Sequence, residues 1–265
     1  MDVGTGKEPP AVLTSLPHHL IDVIDPDEPW SLAQYRDLAN SCIDRVNHHD
    51  HLPFLVGGTG LYIQSVVEGL SIPDVPPQLF LRQELELRAA TRGSQALHDE
   101  LRVLDPEGAD RIDHRNVRRV IRALEVVHVT GIPFSHHLTR SPRRIPPLWI
   151  GLNPPRPQLH ALAAARVGSM FDHGFVDEVR VLLQRYEPSL PAFSAIGYRE
   201  VAAYLAGAVG MDETVEAVIR STRQYQRRQL TWFRSVLAMH WLDPLAPDCT
   251  AAAAALVEQY LEQYG

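Results

Sequence analysis

Gly57-Gly58-Thr59 stands between an apolar run, Phe54-Leu55-Val56, and an amphipathic segment from Leu61 to Glu68. Read as strand, turn and helix, this aims the first unpaired helical N–H groups out of a glycine turn, where an anion is welcome. The hydroxyl of Thr59 adds a donor at the same spot. The stretch lacks the Gly-Lys-Ser/Thr ending that sets an ammonium on phosphates in a Walker loop. On these residues alone two readings stand: an anion site, or glycines that only permit a tight turn.

A second chemistry-bearing feature is arginine. Arg111, Arg115, Arg118, Arg119 and Arg122 fall within twelve positions, and Arg220, Arg223, Arg227, Arg228 and Arg234 within fifteen. Lys7 is the only lysine. Planar guanidinium forks suit phosphates, and a GC-rich genome would give the same bias. The net charge of −7 argues against nonspecific coating of nucleic acid and leaves room for a local basic surface. The 13 histidines include the pairs His18-His19, His48-His49 and His136-His137. Neighbours on a strand or helix face different ways and no HExxH occurs, so no metal site is expected. Cys42 and Cys249 form neither a disulfide framework nor a zinc spacing, which fits a reducing compartment.

These residues need elements to position them. Short apolar strands are expected at 19–23, 54–57, 148–152 and 240–242, with helices between them, the pattern of a parallel sheet in an α/β fold. Ser31, three residues before Gln34, reads as a capping box opening a helix to about Val46. Between the proline-rich joints "SIPDVPP" and "RSPRRIPP" the pattern is helical only: 78–91, 94–104 and 116–130, the last stopped by Gly131. A helical insertion follows, giving core 1–72, insertion 73–147 and core 148–265. Later helices are expected at 158–173, 176–186, 197–205 and 211–236, with another beginning in the alanine run 251–255. Glu8-Pro9-Pro10 opposes a helix at that point. No run of about 18 apolar residues and no apolar leader occurs, so a soluble, cytoplasmic protein without a membrane partner is expected.

Taken in order, "MDVGTGK", "PHHLIDVIDPDEPWS", "VGGTGLYI", "RRVIRALEV", "RVGSMFDHGFVDEV", "AFSAIGYREVAAYL" and "STRQYQRRQLTWFR" resemble the bacterial tRNA dimethylallyltransferases along nearly the whole chain. The resemblance implies transfer of a dimethylallyl group from dimethylallyl diphosphate to N6 of the adenine 3′ of the anticodon. It implies a P-loop-NTPase-like parallel sheet core with an all-helical insertion domain gripping the anticodon stem-loop, a monomer, and Mg²⁺ accompanying the diphosphate. Family members are sometimes labelled ATP-binding because of the P-loop; the resemblance implies that in the family this loop holds an allylic diphosphate.

Residue by residue, Gly57, Gly58 and Thr59 match one lip of the family's diphosphate site, and Arg166 matches its diphosphate-binding arginine. Thr59 and Arg166 are thus the catalytic candidates, although Gly168 stands where the family usually has Asp. Arg118, Arg119, Val120, Ile121 and Arg122 match a tRNA-contacting segment, in which Arg118 and Arg122 share a helical face. A solvated face with pairs to Glu125 or Asp113 is the alternative for each arginine. Ser194, Ala195, Ile196, Gly197, Tyr198 and Arg199 match a second such segment, with Tyr198 and Arg199 able to stack on or bond an unstacked base. Arg223, Arg227 and Arg228 lie on one long helix and could face the site; Trp232 and Phe233 read as core.

Family members carry a strand, a GxTxxGKS/T loop and a second strand ending in Asp-Ser ahead of the "MDIGTAK"-like segment, whose methionine matches Met1. A βαβ unit takes at least ~30 residues, so the resemblance implies that two strands, the diphosphate cradle and the family's base are lacking. On that expectation the chain as it stands is inactive. Two other readings are kept: an adenylate isopentenyltransferase acting on free nucleotides, and a noncatalytic RNA-binding remnant with an unpaired sheet edge.

Overall fold

The computed structural model describes residues 1–71, 73, 75–142 and 145–264. Positions 72, 74, 143 and 144 of the two proline-rich joints lie outside the described residues. In chain order the first helices are α1 (Pro10–Ser15), α2 (Leu32–His48), α3 (Gly60–Val67), α4 (Leu79–Arg92) and α5 (Ser94–Leu104). Then come α6 (Pro106–Arg111), α7 (Val117–Thr130) and α8 (Phe134–His137), strand β1 (Trp149–Leu152), and α9 (Arg156–Asp172). The chain closes with α10 (Phe175–Arg185), α11 (Tyr198–Leu205), α12 (Met211–Phe233), β2 (Met239–Leu242) and α13 (Cys249–Tyr264). The protein is thus mainly helical with a small parallel sheet, which fits an α/β fold. No helix among the described residues is long and apolar enough to cross a membrane.

Two compact units are formed, one from Met1–Trp30, Ser41–Gly60 and Ile145–Gly265, the other from Ser31–Asn40 and Leu61–Arg144. In the first, β1 and β2 run parallel in the register Trp149↔Met239 to Leu152↔Leu242. Its core gathers Phe175, Val179 and Leu182 from α10, spaced to share one helical face, with Phe193, Tyr198 and Val201. Helix α9 packs on α12, α10 on α11, and α11 on α12.

The second unit is helical. Leu85 of α4, Leu97 and Leu101 of α5, Ala109 of α6 and Val120, Ile121, Ala123 and Leu124 of α7 close its core. Local chemistry fixes the helix ends. At the start of α2, Ser31 Oγ accepts from Gln34 N–H at 3.1 Å while Gln34 Oε1 accepts from Ser31 N–H at 2.8 Å, a reciprocal capping box. Asn116 caps α7 by accepting from Arg119 N–H, and Gly131 ends it at φ 69°, a left-handed conformation that suits glycine. Asp105 caps α6 and also accepts from Ser135 N–H (2.8 Å) and Oγ (2.6 Å), which fastens α8 to the α5–α6 junction.

Two expected strands do not form. Across 19–23, Leu20 and Asp22 have φ of 61° and 53°, which no strand accommodates. Residues 54–56 lack a ladder partner among the described residues and leave Phe54 70% and Val56 88% exposed. Their apolar composition suits a strand, but a strand needs a neighbour to pair with. The opposed helix at Pro10 does form. Pro10 stands at its first position, where the missing N–H costs nothing, and the helix lasts six residues.

Candidate functional site

The glycine turn is seated on α12. Tyr225, Gln229 and Trp232 follow at helical spacing on that helix and meet successive residues of the turn. Tyr225 Oη lies 3.3 Å from Thr59 Oγ1, and Gln229 Nε2 donates to the Gly58 carbonyl at 3.0 Å. The Trp232 ring covers Gly60 so closely that a Cβ there would fall 2.2 Å from Cδ2. A rigid indole cannot give that much, so glycine at 60 is a packing requirement. At Gly57 a side chain would meet open space. The turn is therefore held from one side, with the Thr59 hydroxyl at an exposed surface beside a tyrosine hydroxyl. Of these partners only Trp232 is singled out by the sequence, as core; the i, i+4, i+7 spacing of Tyr225, Gln229 and Trp232 is the signal that places all three on one helical face.

Arg166 lies on the exposed side of α9, the helix next to α12. Its guanidinium lies against Gly6, where a Cβ would fall 1.9 Å from Nη2. Around Gly168 there is open space, so that position gives Arg166 no support. Among the described residues no hydrogen bond or ion pair joins Arg166 to Thr59.

Gly6 belongs to a tight N-terminal loop. Its N–H donates to Val3 O at 3.1 Å, Lys7 N–H donates to Asp2 O at 3.1 Å, and Thr5 Oγ1 donates to Met1 O at 2.9 Å. Lys7 Nζ bridges the carboxylates of Asp2 and Asp22. Beneath the loop, Glu178 accepts from the N–H groups of Asp2 (2.6 Å), Val3 (2.8 Å) and Gly4 (3.3 Å) and from Tyr198 Oη (2.6 Å). Burial alone would push the Glu178 carboxyl up; the Tyr198 hydroxyl and the three amides outweigh it and hold the group below its ordinary value. Burial, then the Glu178 carboxylate, pushes the Tyr198 phenol well up.

The structure divides the two proposed RNA-contacting segments. Arg118 and Arg119 are exposed on the first turn of α7, and Arg118 lines a surface depression with Asp113, Arg115, Asn116 and Val117. Val120 and Ile121 are core residues. Arg122 turns inward: Nη1 donates to Glu125 Oε2 (2.6 Å) and Val75 O (2.9 Å), and Nη2 to Pro73 O (3.3 Å). Glu125, 0% exposed, also accepts from Arg82 and from Gln78 N–H. Its carboxyl lies below the ordinary range because Arg82, the Gln78 amide and Arg122 together outweigh its burial. In the second segment, Ser194 and Arg199 are exposed. Tyr198 is 0% exposed, its ring edge-on to Phe175, so as placed it serves as core and offers no face to a base. Glu200 ties this segment to α12 by accepting from Gly197 N–H (2.9 Å) and Ser221 Oγ (2.9 Å).

Residues 1–236 match the family model described as IPP transferase. The chain is 44% identical over 262 residues to the tRNA dimethylallyltransferase of Roseiflexus castenholzii, covering 98% of this chain and 85% of that one. It is 40% identical to the tRNA dimethylallyltransferase of Geobacillus thermodenitrificans, over 98% of this chain and 84% of the relative. Among solved structures, the full-length tRNA isopentenylpyrophosphate transferase of Bacillus halodurans is similar with a TM-score of 0.68 and 36% identity, over 99% of this chain and 86% of that one. A eukaryotic dimethylallyltransferase acting on tRNA shares the fold at a TM-score of 0.80 and 21% identity, over 99% of this chain and 70% of that one.

Proposed function

The chain belongs to the IPP transferase family, and on that premise we propose that it moves a dimethylallyl group from dimethylallyl diphosphate to N6 of the adenine 3′ of the anticodon in tRNA. Its activity is that of a tRNA dimethylallyltransferase, a prenyl transfer. The reaction is displacement at carbon: the N6–C bond forms as the allylic C–O bond breaks, and diphosphate leaves with the bonding electrons. Charge builds on the leaving oxygens, and fixed donors there stabilise the transition state more than the ground state.

The observation that carries the reading is the glycine turn held on α12 with the Thr59 hydroxyl exposed beside Tyr225. A turn needed only to change chain direction gains nothing from an exposed hydroxyl beside a second one. In this reading Thr59, the turn amides at Gly57 and Gly58, and Arg166 meet the diphosphate, on a core of the P-loop-NTPase-like kind. Arg118 and Arg119 meet phosphates of the anticodon stem-loop, and Ser194 and Arg199 a second stretch of it. The protein is a cytoplasmic monomer in this proposal.

Mg²⁺ enters only with the diphosphate. Among the described residues no group of three His, Cys, Asp or Glu side chains could hold a metal ion. An ion that keeps its waters and takes ligands from the diphosphate oxygens does not require such a group.

Equilibrium binding tests the proposal. The protein is expected to bind dimethylallyl diphosphate by calorimetry and an anticodon stem-loop by fluorescence anisotropy, and AMP at millimolar concentration is expected not to displace the stem-loop. Tight binding of AMP with no affinity for the stem-loop would overturn it in favour of a free-nucleotide acceptor.

A further inference from the structure

Among the described residues no carboxylate orients Arg166. It makes no hydrogen bond or ion pair among them, and Gly168 leaves empty space where a side chain could have supported it. What the guanidinium does meet is backbone, at Gly6 in a loop that turns back on itself at φ 65°. A long, exposed arginine without a fixed surface to lie on loses rotamer freedom when it binds an anion. The placement of Gly6 therefore governs how well Arg166 is prepared.

Glu178 sets that placement. Its two carboxylate oxygens take the amides of Asp2, Val3 and Gly4, consecutive donors that no helix or strand satisfies, together with the Tyr198 hydroxyl. Gly4 then lies on the rings of Phe175 and Tyr198, where a Cβ would fall 2.1 Å from Phe175 Cε2, so the loop is both bonded and packed in place. Two residues later the chain reaches Gly6 under Arg166. Glu178 stands in the first turn of α10, and the four donors it takes from the loop and Tyr198 exceed what an acid placed only to offset the helix dipole requires.

We infer that Glu178 is a positioning residue for the transferase reaction: it fixes the Asp2–Gly6 loop that serves as the backing surface for Arg166, and so sets diphosphate affinity without touching diphosphate. The inference rests on the assignment of Arg166 to the diphosphate and extends it. The supporting group lies 12 positions further along the chain, and it acts through backbone instead of through an ion pair.

Calorimetric binding of inorganic pyrophosphate to the full chain tests this, with stem-loop binding and melting temperature measured alongside. Glu178→Gln sets an amide N–H₂ against donors and loosens the loop; Gly6→Ala keeps Glu178 and pushes the Arg166 guanidinium off its surface. Both are expected to weaken pyrophosphate roughly tenfold, the upper end of what ordering one flexible side chain costs on binding, while stem-loop affinity stays at the parent value. Tyr198→Phe, which removes a buried bond to Glu178 and leaves its amide bonds, should lower the melting temperature and keep pyrophosphate affinity. Parent-like pyrophosphate binding in both Glu178→Gln and Gly6→Ala, with Arg166→Ala still weakened, would overturn the positioning role alone. Parent-like binding in Arg166→Ala would overturn the diphosphate assignment beneath it.

Discussion

Arg122 Nη1 donates at 2.6 Å to Oε2 of Glu125, a fully buried carboxylate one helical turn along α7. The same guanidinium reaches the carbonyls of Val75 and Pro73, so it fastens the approach to α4 onto α7. Its sequence neighbours Arg118 and Arg119 remain exposed. Three arginines that look alike in sequence thus have two different tasks.

Arg122→Ala is expected to destabilise the protein by about 1–3 kcal/mol, the range for losing hydrogen bonds to a charged buried group. Arg118→Ala and Arg119→Ala should fall within about 0.5 kcal/mol of the parent, as exposed changes do. Urea unfolding measures both. Equal, small effects at all three positions would return Arg122 to the surface row.

Binding separates the same residues in the opposite sense. If Arg118 and Arg119 each neutralise a phosphate, each alanine variant should lower the dependence of log K on log salt for the stem-loop by about 0.9 or less. An unchanged slope in the double variant would make them a solvated face. Arg122→Ala should keep most of the parent's slope.

Acid should unfold the protein through Glu178 and Glu125. Both carboxyls lie below their ordinary value of 4.5 in the folded protein, each because its hydrogen-bond partners outweigh its burial. A group whose folded value is depressed stabilises fully above its unfolded value and loses that contribution as pH falls through the folded one. The melting temperature should therefore be unaffected by these two groups down to pH near 4.5 and fall progressively below it. In Glu178→Gln the neutral-pH melting temperature should be lower and the acid slope shallower. A parent-like slope in that variant would mean that Glu178 titrates alike folded and unfolded.

The features legible in the sequence were those set by near neighbours. Ser31 with Gln34, Asn116 with its following turn, and Gly131 each announce a helix end, and each bond they make spans a few residues. The misread strands at 19–23 and 54–57 depended on partners elsewhere, which composition does not report. The site divides in the same way. Gly-Gly-Thr makes Thr59 a candidate on local sequence alone, whereas Glu178 holds amides 174 to 176 positions away, and an acid in a first helical turn reads as ordinary dipole compensation. Sequence leaves Arg122 either in an RNA-contacting row or paired with Glu125 on a solvated face, because the Gln78 and Arg82 bonds that enclose the carboxylate come from another element.

Thr59 decides whether the glycine turn is more than a turn. Its hydroxyl is exposed and, among the described residues, has a single partner, Tyr225 Oη at 3.3 Å, a contact long enough to contribute little to stability. Thr59→Ala should therefore leave the melting temperature near the parent's. A hydrogen bond to a charged group is worth about 1.5–3 kcal/mol, so losing one to diphosphate should weaken pyrophosphate binding by roughly ten- to a hundredfold. Thr59→Ser keeps the donor and should recover most of that affinity. Gly60→Ala should behave in the reverse way, lowering the melting temperature because its Cβ has no room beside the Trp232 ring. Calorimetry and thermal melts on the three variants separate the readings: a Thr59→Ala protein that binds pyrophosphate like its parent and melts lower would make the hydroxyl a structural group and the turn a change of direction.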